Sequence, residues 1–149
     1  MQPNPDLAGR VYQAGDPYLV GREKLREFAT AVGATHPAHH HVATAQALGY
    51  VDIVAPPTFA AVIAQRAEAA YVTDQASGID FSRVVHAAQA FTHYRPIVAG
   101  DLLSTELTVG PITTRSGLGL VTTVVDIIDD AGAPVAQVTS QLAVRGEGP

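Results

Sequence analysis

Four histidines fall within six residues, His36, His39, His40 and His41, and they are the first groups in this 149-residue sequence whose type and spacing suggest chemistry. Neutral imidazole can ligate a metal or move a proton near neutral pH. A metal centre needs further ligands, and no Cys, Asp or Glu lies between Gly33 and Leu48 to complete a shell. A His-rich tract is only a compositional hint, so the expectation is no metal, with His36 and His39 lining a site and His40 and His41 solvated. The chain has no cysteine, which removes thiolate ligands, disulfides and a cysteine nucleophile together. No Gly-x-Ser-x-Gly elbow marks a nucleophilic serine, and no Gly-x-Gly-x-x-Gly follows a strand, so no organic cofactor is implied.

Other polar residues carry weaker signals. His86 and His93 are seven apart in a strand-like run, a spacing that puts them on opposite faces of a regular strand. Gln65, Arg66 and Glu68 form a polar edge on an otherwise apolar helical stretch, where a solvent-facing or interfacial position is expected. Arg95 and Asp101 bracket a Pro–Gly connection and read as a turn clamp.

The elements that must position these groups follow from periodicity. Residues 1–8 are Pro- and Asn-rich and read as a loose arm. Arg22 to Val32 places Leu25, Phe28, Ala29 and Val32 on one helical face, and Gly33 stops it. Val42 to Leu48 is a short helix closed by Gly49. Pro56-Pro57 leads into a helix from Thr58 to about Tyr71, with Phe59, Val62, Ile63, Ala67 and Ala70 on its apolar face. Arg83–Tyr94, Leu102–Val109, Leu120–Ile128 and Val135–Val144 are rich in Val, Ile and Thr and read as strands, the last two joined by a turn at Asp129-Asp130-Ala131-Gly132. Helices followed by a run of strands give an α+β class, an antiparallel sheet with one apolar helix against it.

Composition excludes several functions. Hydrophobic residues make up 47% and charged residues 15%, the balance of a chain with a packed core. The net charge is −5 and the nine Lys and Arg are scattered, which argues against nucleic acid. No apolar run approaches membrane-spanning length and the first residues lack a signal-peptide pattern, so a cytoplasmic protein of one domain, residues 1–149, is expected.

Three segments in order carry a resemblance: Gly33-Ala34-Thr35-His36-Pro37-Ala38-His39, then Ala55-Pro56-Pro57, then Arg95-Pro96-Ile97-Val98-Ala99-Gly100-Asp101. The chain resembles the MaoC-like (R)-specific enoyl hydratases and 3-hydroxyacyl dehydratases. Active members carry Gly-Asp-x-Asn-Pro-x-His, an Ala-His-Gly element and Arg-Pro-x-x-x-Gly-Asp at these places. The Ala55-to-Phe59 version is most similar to the accessory subunits (HadA/HadC-like) of actinobacterial (3R)-hydroxyacyl-acyl-carrier-protein dehydratases.

The resemblance implies a hot-dog fold, an antiparallel sheet wrapped around a central apolar helix, of the FAS1-type dehydratase kind. It also implies that the catalytic motif is broken. His39 takes the histidine position, but Ala34 takes the aspartate position, and losing an acid–base partner costs on the order of 10²–10⁴ in rate. The family's glycine donates its backbone N–H to the thioester carbonyl; the matching Pro57 has no N–H, a loss of about 10²–10³. His36, Ala55, Pro56 and Thr58 are the implied substrate-lining positions. The implied ligand is an acyl-carrier-protein or coenzyme A thioester, and the implied partner is a MaoC-like catalytic subunit in a heterodimer. Two alternatives stand beside this: a homodimeric hydratase or thioesterase using His36 or His39, and an acyl-thioester binding module without chemistry.

Overall fold

The computed structural model describes residues 2–13 and 15–146. Its elements are β1 (Val11–Gln13), β2 (Tyr18–Leu19), α1 (Arg22–Ala31), α2 (Val42–Ala47), α3 (Ala60–Val72), β3 (Val84–His93), β4 (Leu102–Arg115), β5 (Leu118–Ile128) and β6 (Pro134–Arg145). The strands form one antiparallel sheet in the order β1-β4-β5-β6-β3, with β2 pairing β4, and α3 lies across β1, β4, β5 and β6. This is the hot-dog architecture.

Alternation explains how the sheet grips the helix. Leu103, Leu107 and Val109 of β4, Val121, Val125 and Ile127 of β5, and Ala136, Val138 and Leu142 of β6 point inward and are buried. They meet Ala60, Ile63, Ala64, Ala67 and Tyr71 of α3. Each large side chain removed from water here contributes about 1.5–3 kcal/mol. Small alanines on α3 let the sheet close around it.

The structure departs from the sequence expectations in five places. The short strands β1 and β2 were not anticipated, because two or three residues carry no readable period. β4 runs on to Arg115, past a register shift between Val109 and Ile112 where Gly110 and Pro111 hide the strand pattern. Ala70, expected on the buried face of α3, is exposed, whereas Glu68 is buried at 4% exposure. The arm expected to be loose is docked: Leu7 joins the core, the Asn4 N–H donates to the Ser77 carbonyl at 2.8 Å, and Pro3 covers Gly119, where an added Cβ would come within 2.7 Å of its ring. That contact gives Gly119 a packing role at the start of β5. Finally, β3 carries a bulge. His86 lies opposite Leu142 but Ala88 lies opposite Gln141, so one extra residue enters the strand and His93 lies opposite Ala136. Leu142 and Ala136 are six apart on one face of β6, which puts His86 and His93 on the same face as each other.

Tyr71 sits at the centre of the core, fully buried, edge-on to Tyr12 at 5.7 Å, and its hydroxyl has no hydrogen-bond partner among the described residues. Burial, and next the neighbouring Tyr12, push its pKa up to about 12. The unfolded chain releases this proton near pH 10 while the folded chain keeps it, so stability falls as pH rises from about 10 to about 12. Tyr71→Phe removes an unpaired buried polar group and is expected to raise stability by about 1 kcal/mol at neutral pH, and by more at about pH 11. Urea midpoints at both pH values check this; a destabilised variant would mean that the hydroxyl has a partner.

Candidate active-site cleft

The cleft is assembled from three chain segments. Gly33, with φ of 72°, ends α1 and turns the chain into a 3-10 turn, Pro37–His39. The His36 ring caps that turn, its Nδ1 accepting the Ala38 N–H at 3.1 Å. The second segment, Ile53–Ala55, lies along the third, Ile97–Ala99: the Ala55 N–H donates to the Ile97 carbonyl at 2.8 Å and the Ala99 N–H to the Ile53 carbonyl at 2.9 Å.

Arg95 and Asp101 hold the third segment in shape. Their side chains form a two-pronged ion pair at 2.8 and 3.0 Å, and Asp101 Oδ2 also accepts the Val98 N–H at 2.9 Å. The hydrogen bond to Asp101 raises the Arg95 pKa, and Asp129, 3.5 Å from the same guanidinium, adds to it. Asp129 itself is held below the usual carboxylate range, first by the Ala133 N–H. This is the turn clamp expected from the sequence. On the other side, Arg22 pairs with Asp52 at 2.8 Å and ties α1 to the segment that leads into the cleft.

These segments enclose a cavity of about 530 Å³ lined by His39, Tyr50, Ala55, Pro56, Pro57 and His93, among others. The His39 Nδ1–H donates to the Val54 carbonyl at 2.7 Å. A carbonyl can only accept, so the tautomer is set and Nε2 keeps its lone pair for another proton. Pro57 opens a 3-10 turn, Pro57–Phe59, just before α3. With Pro56 before it, two successive residues at this helix entrance lack an N–H. The cleft therefore has a base but no backbone N–H at residues 56 and 57 to meet a developing oxyanion.

Of the residues expected at a site, the structure brings His39, Ala55, Pro56 and Pro57 together on the cavity wall. Ala34, His36 and Thr58 are not among its lining residues; the Ala34 carbonyl instead accepts from His40 Nε2 at 2.8 Å. Among the described residues no cluster of three His, Cys, Asp or Glu is arranged to hold a metal. His93 was missed as a cleft residue. Its Nε2–H donates to the Pro57 carbonyl at 2.9 Å, a position it owes to the β3 bulge, which the sequence does not announce.

A family described as FAS1-like, dehydratase domain region, matches residues 6–138. A UPF0336 protein of Clavibacter michiganensis is 50% identical over 147 residues, covering 99% of both chains, and one of Leifsonia xyli is 45% identical over 144 residues, covering 97% of each. Among known structures, the HadBC (3R-hydroxyacyl-ACP dehydratase) complex of Mycobacterium tuberculosis aligns with a TM-score of 0.83 and 31% identity over 93% of this chain and 97% of that one. A MaoC-like dehydratase aligns with a TM-score of 0.86 and 34% identity, over 94% of this chain but 42% of the other.

Proposed function

The chain belongs to the FAS1-like dehydratase-domain family, and from that premise we propose that it is the accessory, non-dehydrating subunit of a heteromeric (3R)-hydroxyacyl-thioester dehydratase. The observation that carries this reading is the wall of its own cleft: His39 is poised as a base, yet Pro56 and Pro57 supply no N–H, and Ala34, at the motif's aspartate position but off that wall, supplies no carboxylate. Reversible loss of water across the C2–C3 bond needs both a proton-handling pair and a donor for the enolate-like oxygen.

A separate MaoC-like subunit brings those groups. Strand β3 pairs with β6 on one side and with no strand on the other among the described residues, so it offers a free edge to a second hot-dog chain. Likeness to the HadBC dehydratase complex supports such pairing. In that assembly this chain stabilises the catalytic subunit and forms part of the channel for an acyl chain carried on acyl carrier protein or coenzyme A. Its setting is the cytoplasm; no helix among the described residues is long and apolar enough to cross a membrane.

Co-expression with a MaoC-like chain, size exclusion and a crotonyl-CoA hydration assay test the proposal. The purified chain alone is expected to show background hydration, the complex to be active, and His39→Ala within the complex to change the rate less than about threefold. Hydration by the purified chain that is abolished by His39→Ala would establish the rival homodimeric hydratase, the reading favoured by the free Nε2 of His39.

A further inference from the structure

A second polar site lies further along α3, about 16 Å from Pro57 at 1.5 Å per residue. Glu68 is buried beneath the sheet, where the Thr123 hydroxyl donates to Oε1 at 3.1 Å and His86 Nε2 approaches Oε2 at 3.1 Å. A carboxylate this deep is costly unless every lone pair facing the protein is matched. The His86 side chain is 40% exposed and stands on β3, turned toward the helix by the bulge that follows it. Its Nε2–H is committed to Glu68, which leaves the Nδ1 lone pair open.

A cavity of about 350 Å³ adjoins the pair. Its walls are apolar at Val72, Phe81, Val84 and Leu142, and Gln65, one turn before Glu68 on α3, adds a side-chain amide. Small-molecule sites run from about 300 to 1,000 Å³, so this one suits a short acyl group. A buried carboxylate orienting an imidazole, a free imidazole nitrogen, an amide donor and an apolar pocket are together the parts of an acyl-transfer site.

We propose that Glu68, His86 and Gln65 form a hydrolytic site for short-chain acyl thioesters, distinct from the His39 cleft. His86 Nδ1 takes a proton from water as the water oxygen bonds to the acyl carbonyl carbon. The carbonyl electron pair moves onto oxygen, where the Gln65 amide N–H steadies it. Collapse of this intermediate breaks the C–S bond, and the departing sulfur takes the proton back from the imidazolium, leaving a free acid and a thiol. Glu68 is a positioning residue that sets the His86 tautomer. The choice of a thioester rests on the function proposed above; the geometry of the site does not.

Thiol release from butyryl-CoA by the purified full-length chain tests the proposal. Release above the buffer rate is expected, reduced at least ~100-fold by His86→Ala and partly restored to that variant by added imidazole. Glu68→Gln keeps the shape and the Thr123 contact, but its amide N–H would donate to His86 Nε2 and force the proton onto Nδ1. It is expected to lower kcat at least ~10-fold with KM little changed, while the urea midpoint shows that the chain still folds. No thiol release above buffer, or release that persists in His86→Ala, overturns the proposal. Loss of the crotonyl-CoA double bond reports the other reading, so failure of one assay is distinguishable from failure of the other.

Discussion

Ala34→Asp is expected to leave the purified chain without measurable crotonyl-CoA hydration, whereas Ala34→Asp combined with Pro57→Gly is expected to raise it by about 10²–10³ over either single variant. The asymmetry follows from covalent structure. Residue 34 lies off the cavity wall, so a carboxylate there must reach in with its longer side chain to help His39 handle protons, and Pro56 and Pro57 both lack an N–H to meet the oxygen as it gains charge. Glycine restores one such donor at a helix entrance, where the aligned peptide dipoles also favour negative charge. The substitution gives up the preset φ of proline, a loss of about 0.4–1 kcal/mol that a stable fold tolerates. Effects inside one catalytic unit are not additive, so the double variant is the informative one. Hydration recovered by Ala34→Asp alone would show that the oxyanion is met by a group other than the residue-57 N–H.

Phe59→Ala is expected to cost about 3–5 kcal/mol, a large share of the roughly 5–15 kcal/mol that holds a domain of this size together. Phe59 is fully buried at the junction of the 3-10 turn with α3; it stands edge-on to Phe28 of α1 at 5.3 Å and tilted against Tyr18 of β2 at 6.3 Å. It joins the helix that the sheet encloses to the outer helix that leads into the cleft. Truncation leaves a cavity that none of these three elements can close without leaving its other contacts, and it loosens the Pro56–Pro57 wall of the cleft next to it. Urea unfolding followed by far-UV circular dichroism measures the loss. A value under about 1 kcal/mol would mean that the junction repacks and that α1 and α3 are not coupled through this ring.

The candidate cleft was only partly legible in the sequence. His39, Ala55, Pro56 and Pro57 converge on one cavity, but Ala34, His36 and Thr58 do not reach its wall. The family motif gave positions along the chain, while lining a cavity depends on which way a short turn points its side chains. His36 is spent on capping its own turn, an outcome set by local hydrogen bonding that the motif does not encode. His93 and Glu68 were misjudged for a shared reason. Strand parity and helix periodicity assume regular elements, and one extra residue in β3 reversed the parity that separates His86 from His93. Glu68 looked like part of a charged edge because its compensating partners among the described residues, Thr123 and His86, lie 55 and 18 residues away.

Legible from the chain's residues alone are the α+β order, α1, α2, the apolar helix α3 within its first turn, the four long strands, and the absence of a side-chain carboxylate at residue 34 and of an N–H at residue 57. These follow from near-neighbour periodicity and from covalent chemistry, which need no tertiary partner. Which polar groups meet is a matter of long-range packing. Burial of Glu68, the turning of His86 and His93 to one face, and the docking of the first residues onto β5 and the loop after α3 all depend on register between segments far apart in the chain. That register is set by packing of the whole sheet around α3, so no local stretch of sequence contains it.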